Sequence, residues 1–124
     1  MFETHLFDYL SHAGTSAGNR VYPKRLPQGV TLPAVTYLKV SPGIVYHSAG
    51  QSSLEMPRYQ FNCWGATYLQ AKALADELKA RLSGFQGQMG TKTVTAAFIE
   101  GERDDDDPET ERENVILDVI IHHQ

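Results

Sequence analysis

A single cysteine, Cys63, stands in the 124 residues, so no intrachain disulfide can form and a disulfide-stapled secreted scaffold is excluded. No apolar run approaches the roughly 18 residues of a membrane-spanning helix. The opening Met1-Phe2-Glu3-Thr4-His5-Leu6-Phe7-Asp8 carries acids where a signal peptide needs basic residues and then an unbroken apolar stretch, so no leader is expected. Cations are in no excess. Eleven Lys and Arg face fifteen Asp and Glu, a formal charge of −4, which argues against a protein that lives by wrapping phosphates while leaving room for a small basic patch. G-x-S-x-G, P-loop and G-x-G-x-x-G patterns are missing, and the glycines from Gly84 to Gly90 follow a helix instead of opening one. The 41% hydrophobic and 21% charged residues place the chain among folded proteins. Its length implies one domain, residues 1–124, around one core that buries roughly two-thirds of the unfolded surface. The expectation is a mildly acidic, soluble single domain of a reducing compartment, with no membrane contact.

Residues 2–13 read as a helix, because Phe2, Leu6, Tyr9, Leu10 and Ala13 form one apolar stripe and Gly14 tolerates the left-handed stop. From Gly14 to Pro33 no period holds. Such a long irregular stretch either hides a short strand at Val21-Tyr22 or is an extended arm held by something outside the domain. Ala34–Ser41 alternates as a strand, Ser41-Pro42-Gly43 is a bend, and Ile44–His47 resumes the strand. Residues 47–55 read as a polar loop. Met56–Trp64 is a strand with Tyr59, Phe61 and Cys63 on one face. The second helix is the clearest element: Thr67 and Gln70 make a capping box, and Ala71, Leu74, Ala75, Leu78 and Leu82 form its apolar stripe before Gly84. Gly87–Gly90 reads as a turn, Thr93–Glu100 as a strand, residues 101–111 as an acidic loop, and Val115–His122 as a closing strand. The order implies an α+β domain: a small, mainly antiparallel or mixed sheet, two helices on one face, and long inter-strand loops.

No catalytic constellation emerges. Asp104, Asp105, Asp106 and Asp107 could chelate Ca²⁺ or Mg²⁺, but they lack the alternating ligands and inner glycine of an EF-hand and read as a solvated acidic loop. The five histidines show no zinc spacing. Cys63 reads as a small buried hydrophobe. No metal site, no cofactor and no enzyme activity are expected. Arg20, Lys24 and Arg25 cluster beside Tyr22 and Leu26 in the irregular stretch, a mixture that suits docking onto a protein better than binding nucleic acid. The two long loops look underemployed in a monomer, which points toward an assembly component.

Several segments, in their order, resemble a known family. They are Val21-Tyr22-Pro23-Lys24-Arg25-Leu26-Pro27-Gln28-Gly29, Thr31-Leu32-Pro33-Ala34-Val35-Thr36-Tyr37, and Gln60-Phe61-Asn62-Cys63-Trp64-Gly65-Ala66-Thr67-Tyr68 running into Ala71-Lys72-Ala73-Leu74-Ala75. Glu102-Arg103-Asp104-Asp105, Pro108-Glu109-Thr110 and Leu117-Asp118-Val119 complete the series. Together they resemble the tail completion, or tail terminator, family of long-tailed bacteriophages and gene transfer particles. The resemblance spans nearly the whole chain.

What it implies is structural: a protein made in the host bacterial cytoplasm and built into the virion tail. It would cap the head-proximal end of the tail tube as a ring of six, end tube polymerisation and join the tail to the head connector. The implied partners are further copies of itself, the major tail tube protein and the head connector or stopper protein, with DNA passing through unbound. Ring closure would use a heterologous interface. The candidate interface residues are Arg20, Tyr22, Lys24, Arg25 and Leu26 of the arm 14–33, with His47, Ser48, Gln51 and Leu54 of the loop 47–55. Asp104, Asp105, Asp106 and Asp107 would supply channel or rim electrostatics. The rival readings are a head-completion or stopper protein of the same neck, a metal-dependent nuclease using the acidic run, and a monomeric adaptor.

Overall fold

The computed structural model describes residues 2–12, 14–41, 44–47, 50–107 and 112–123. Helix α1 (Phe2–Ser11) buries Phe2, Leu6 and Leu10, as the apolar stripe requires, and packs half-buried Phe7 and Tyr9 against the same core. Ala13, the last expected stripe residue, lies outside the described residues. Helix α2 (Tyr68–Leu82) buries all five of its expected stripe residues. Its capping box forms with one change. The Thr67 side chain accepts from the Gln70 amide at 3.1 Å, while Gln70 Oε1 accepts at 2.7 Å from the amide of Ala66, one residue ahead of the cap.

Eight strands pair among the described residues: β1 (Val21–Pro23), β2 (Ala34–Ser41), β3 (Ile44–His47), β4 (Gly50–Glu55), β5 (Arg58–Gly65), β6 (Gly87–Met89), β7 (Lys92–Asp107) and β8 (Arg112–His123). They fall on six lines. Ser41 pairs with Arg58 and Ile44 with Glu55, so β2 and β3 are one line interrupted at Pro42-Gly43, and β5 and β4 are the line beside it. Both halves of that second line meet β8 in one register, Arg58 opposite Ile120 and Glu55 opposite His123. Strand β7 runs antiparallel along the other side of β8, and β6 closes that edge. Strand β1 closes the opposite edge as the one parallel neighbour, Val21 opposite Val35. The sheet is therefore mixed but mainly antiparallel.

One face carries the core. Val35, Tyr59, Phe61, Cys63, Val115, Leu117, Val119 and Ile121 point inward and meet both helices. Helix α2 lies over β5, β8 and β7, whereas α1 touches both β1 and β6, the two edge strands. A flat sheet could not present both edges to one ten-residue helix, so the sheet curls around it. Pins around α1 hold this closure. Phe2 stacks on His123 at 4.0 Å, the Tyr9 hydroxyl donates to the Arg81 carbonyl at 3.0 Å, and Glu3 pairs with Lys39 at 2.9 Å. Two glycines are required by close approach. A methyl at Gly65 would sit 2.6 Å from the Ala71 amide nitrogen, and one at Gly90, where φ is 62°, would collide with the His5 ring.

Of the expected irregular stretches, 14–33 takes the first of its two readings and hides a short strand, and three others are ordered differently. Residues 14–33 hold strand β1, with Thr15, Ala17 and Val21 buried against the domain, so the first half of the arm belongs to the core. Residues 50–55 of the expected loop 47–55 are strand β4, because their backbone pairs with β3 despite a composition of glycine, glutamine and serine. Residues 101–107 of the expected acidic loop continue β7, because each register position through Asp107 meets β8. The expected turn at Gly87–Gly90 is β6 through Met89, and the reversal falls at Gly90-Thr91.

Candidate assembly interface

Strand pairing builds a projecting hairpin. β3 pairs with β4 alone, and β4 touches the remaining sheet at Glu55 opposite His123. The segments 44–47 and 50–54 are therefore a two-stranded extension of the β2–β5 hairpin, carried past the helix-covered core. His47, Gln51 and Leu54 lie on it, with His47 opposite Gly50 and Tyr46 opposite Gln51. Ser48, at the tip, lies outside the described residues. Where the extension meets the body, the buried His123 ring stands 3.6 Å from a Glu55 carboxylate oxygen.

The basic cluster of residues 20–26 divides. Arg20 is used within the chain: Nε donates to the Pro33 carbonyl at 2.9 Å and Nη2 to the Ser16 carbonyl at 3.1 Å, tying the start of the stretch to its end. Ser16 is itself held to α2 by its amide, which donates to Glu77 at 2.6 Å. Lys24 takes a left-handed φ of 67° and donates its amide to the Tyr37 carbonyl, which turns the chain away from β2. Lys24 and Arg25 are exposed, while Tyr22 and Leu26 are half-buried. Beside this turn opens a pocket of about 510 Å³ lined by Glu3, Pro23, Lys24, Tyr37, Leu38 and Lys39.

The acidic stretch is held by helix α2. The inward face of β7 runs past the core to Glu102 and Asp104, which meet two lysines, Lys72 and Lys79, two turns apart on one face of α2. Lys72 Nζ lies 2.6 Å from Glu102 and 3.0 Å from Asp104; Lys79 Nζ lies 2.6 Å from Glu102 and 3.2 Å from Asp76. The Tyr68 hydroxyl donates to Asp104 at 3.0 Å. The hydrogen bonds from Lys72 and Lys79 hold the Glu102 carboxyl below its ordinary value, those from Lys72 and Tyr68 do the same for Asp104, and bonding to Glu102 raises both lysines. Arg103 points to the other face and pairs with Asp118 at 2.6 Å. Asp105 is exposed, and Asp106 and Asp107 continue the strand. The stretch through Asp104 is thus an electrostatically anchored strand in place of a free loop, and its backbone pairs with β8 through Asp107.

Among the described residues no group of three or more His, Cys, Asp or Glu is placed to hold a metal ion. Burial pushes the Cys63 thiol far up, which keeps it protonated and unreactive. No helix among the described residues is long and apolar enough to cross a membrane.

The sequence pattern did not single out the exposed apolar side chains. Leu69 and Tyr68 stand in the first turn of α2, 79% and 45% exposed, Val40 and Phe98 are exposed on the sheet, and Met56 is exposed between β4 and β5. The signal for Tyr68 and Leu69 was present, since both fall off the α2 apolar stripe.

Residues 10–124 match the family model described as "Tail completion protein gp17". The chain belongs to the tail completion protein gp17 family. Its place is accordingly in the virion tail, as a structural protein of the particle. A chain of the solved structure "Virion of native gene transfer agent (GTA) particle" shares the fold, with a TM-score of 0.68 over 96% of this chain and 92% of that one at 13% identity. No individually curated protein matches it.

Proposed function

We propose that the protein closes the head-proximal end of the tail tube as a ring of six copies, ends tube growth there, and presents the surface on which the head connector docks. The match to the tail completion family over residues 10–124 carries this reading. The geometry supports it, because the two features that extend past the helix-covered core are strands with their own backbone order. The hairpin 44–55 offers a projecting edge for one partner. The strand through Asp107 offers a charged one. The mechanism is binding geometry without a chemical step. One ring face matches the last ring of the tube protein and the opposite face matches the connector, while the net charge of −4 per copy keeps passing DNA from adhering.

Particles made without the protein test this. They should yield filled heads and separate tails of uncontrolled length. Purified protein should attach to the isolated tails and restore joining, with a ring of six visible at the junction. Attachment to isolated heads in place of tails would make it a head-completion or stopper protein instead.

A further inference from the structure

The charges of this chain are segregated by position in the sheet. From Tyr9 to Leu54 there is no carboxylate, and the cations are Arg20, Lys24, Arg25 and Lys39. That stretch supplies β1, β2 and β3, the lines at one side of the sheet. From Glu100 to Asp118 stand ten of the fifteen Asp and Glu residues against two cations, Arg103 and Arg112. They lie on β7, on the half of β8 beside it and on the connection between them, at the other side.

Both sides also present open strand edge. β1 stops at Pro23, which has no amide hydrogen, and the turn at Lys24 leads away, so β2 from Leu38 onward has no outer backbone partner among the described residues. On the far side β6 covers β7 through Val94, and the Gly84 amide reaches the Ala97 carbonyl at 2.9 Å. From Phe98 to Asp107 the outer edge of β7 is likewise open among the described residues. The two openings share the rows between Phe98 and Gly101, while Asp104 and Asp105 lie level with Val35 and Ala34, so a neighbour displaced along the strands brings the acidic end to the Lys24 turn. Leu38 faces Gln60, Gln60 faces Asp118, and Asp118 faces Gly101; Ser41, Arg58, Ile120 and Phe98 form another such row. Because each neighbour from β2 through β5 and β8 to β7 is antiparallel, β2 and β7 run in opposite directions. A second copy set beside the first in the same orientation therefore continues the antiparallel alternation.

Like charges on an open edge repel an identical edge and so protect against uncontrolled pairing. Here the two edges carry opposite signs, so the same charges that block like-with-like contact favour unlike contact. We propose that neighbouring copies join edge to edge, the basic β2 edge with Lys24 and Arg25 of one copy receiving the acidic β7 edge, Phe98–Asp107, of the next, so that the sheet runs on around the ring. Such a contact is heterologous, the kind that closes into a ring when its rotation closes. This inference rests on the ring reading above.

The test uses tail tubes assembled without the protein, capped by added full-length chain and counted by electron microscopy. The variants are Lys24→Glu with Arg25→Glu, Asp106→Lys with Asp107→Lys, and the fourfold chain carrying both reversals. Each twofold reversal should need at least about tenfold more protein for half-complete caps, since like charges then meet. The fourfold chain should return to near the wild-type value. Lys24→Gln with Arg25→Gln, which removes charge without reversing it, should fall between. Circular dichroism and melting of every variant should match wild type, and a variant that fails to fold is replaced in the comparison by its neutral counterpart (Asn for Asp). Normal caps from the twofold reversals would overturn edge pairing and leave the ring standing. Failure of the fourfold chain to recover would also overturn it and assign Lys24 and Arg25 to another partner, DNA or the tube. A single wild-type copy at the tail end would overturn the ring itself.

Discussion

Gly65 ends β5 where α2 crosses it, and the Ala71 backbone leaves no room for a methyl group there. Gly65→Ala should therefore cost about 2 kcal/mol of stability through overpacking, read as a lower midpoint in denaturant with an unchanged slope. The ion network on β7 makes a second prediction at this scale. Glu102 is held below its ordinary 4.5, so its contribution is present above that pH and is lost as pH falls through the lower, folded value. The lysines are raised above their ordinary 10.5, so their contribution is complete below that pH and is lost on further alkalinisation. The network should thus stabilise fully between about pH 4.5 and 10.5. Melting temperature against pH should fall more steeply below pH 4.5 for wild type than for Glu102→Gln. Because these groups remain partly open to solvent, the difference should shrink in high salt.

The elements differ in how much of them the sequence discloses. Helix α2 is legible in full, since a capping box and a five-residue stripe are local signals and its ends need nothing distant. Strand β8 is legible for a different reason: as the central line it is apolar on both faces, with Ile116 and Ile120 added to the inward set. Strand β4 and the end of β7 carry no such signal. Gly50-Gln51-Ser52-Ser53 and Asp104 to Asp107 have low strand propensity and are extended because each is one arm of a hairpin whose backbone ladder holds it. The candidate site suffered most from this, because its two expected loops were those two strands. The intrachain bonds of Arg20 were hidden for a related cause, as their acceptors are the carbonyls of Ser16 and Pro33, which no side-chain pattern announces. Removing Ser48–Ser53 should shorten the hairpin without touching the core. The expected outcome is wild-type melting together with loss of tail-to-head joining in an assembly assay.

Across the whole molecule, acidity and size act together. A carrier of net charge −4, multiplied around the proposed ring, should not retain duplex DNA at physiological salt. Changing Asp105, Asp106 and Asp107 to Lys, with Asp104 left to hold Lys72 and Tyr68, should convert it into a salt-sensitive DNA binder, measured by fluorescence anisotropy. The core should be correspondingly intolerant, since a small domain has one. Leu117→Ala, on the central strand, should cost about 2–5 kcal/mol.

The central place of β8 also sets when folding can happen. Residues 112–123 are the last of the described chain to leave the ribosome, yet they occupy the middle of the sheet, between β5 and β7. Before they emerge, β7 has no partner but the short β6, and Phe2 lacks the ring it stacks on. The β2–β5 hairpin and α2 can form early, but the sheet cannot join its two sides, so most long-range contacts arrive in one late step. A chain cut short by premature termination would therefore never acquire the second edge. The two sides of the sheet are joined only once residues 112–123 have paired with both β5 and β7.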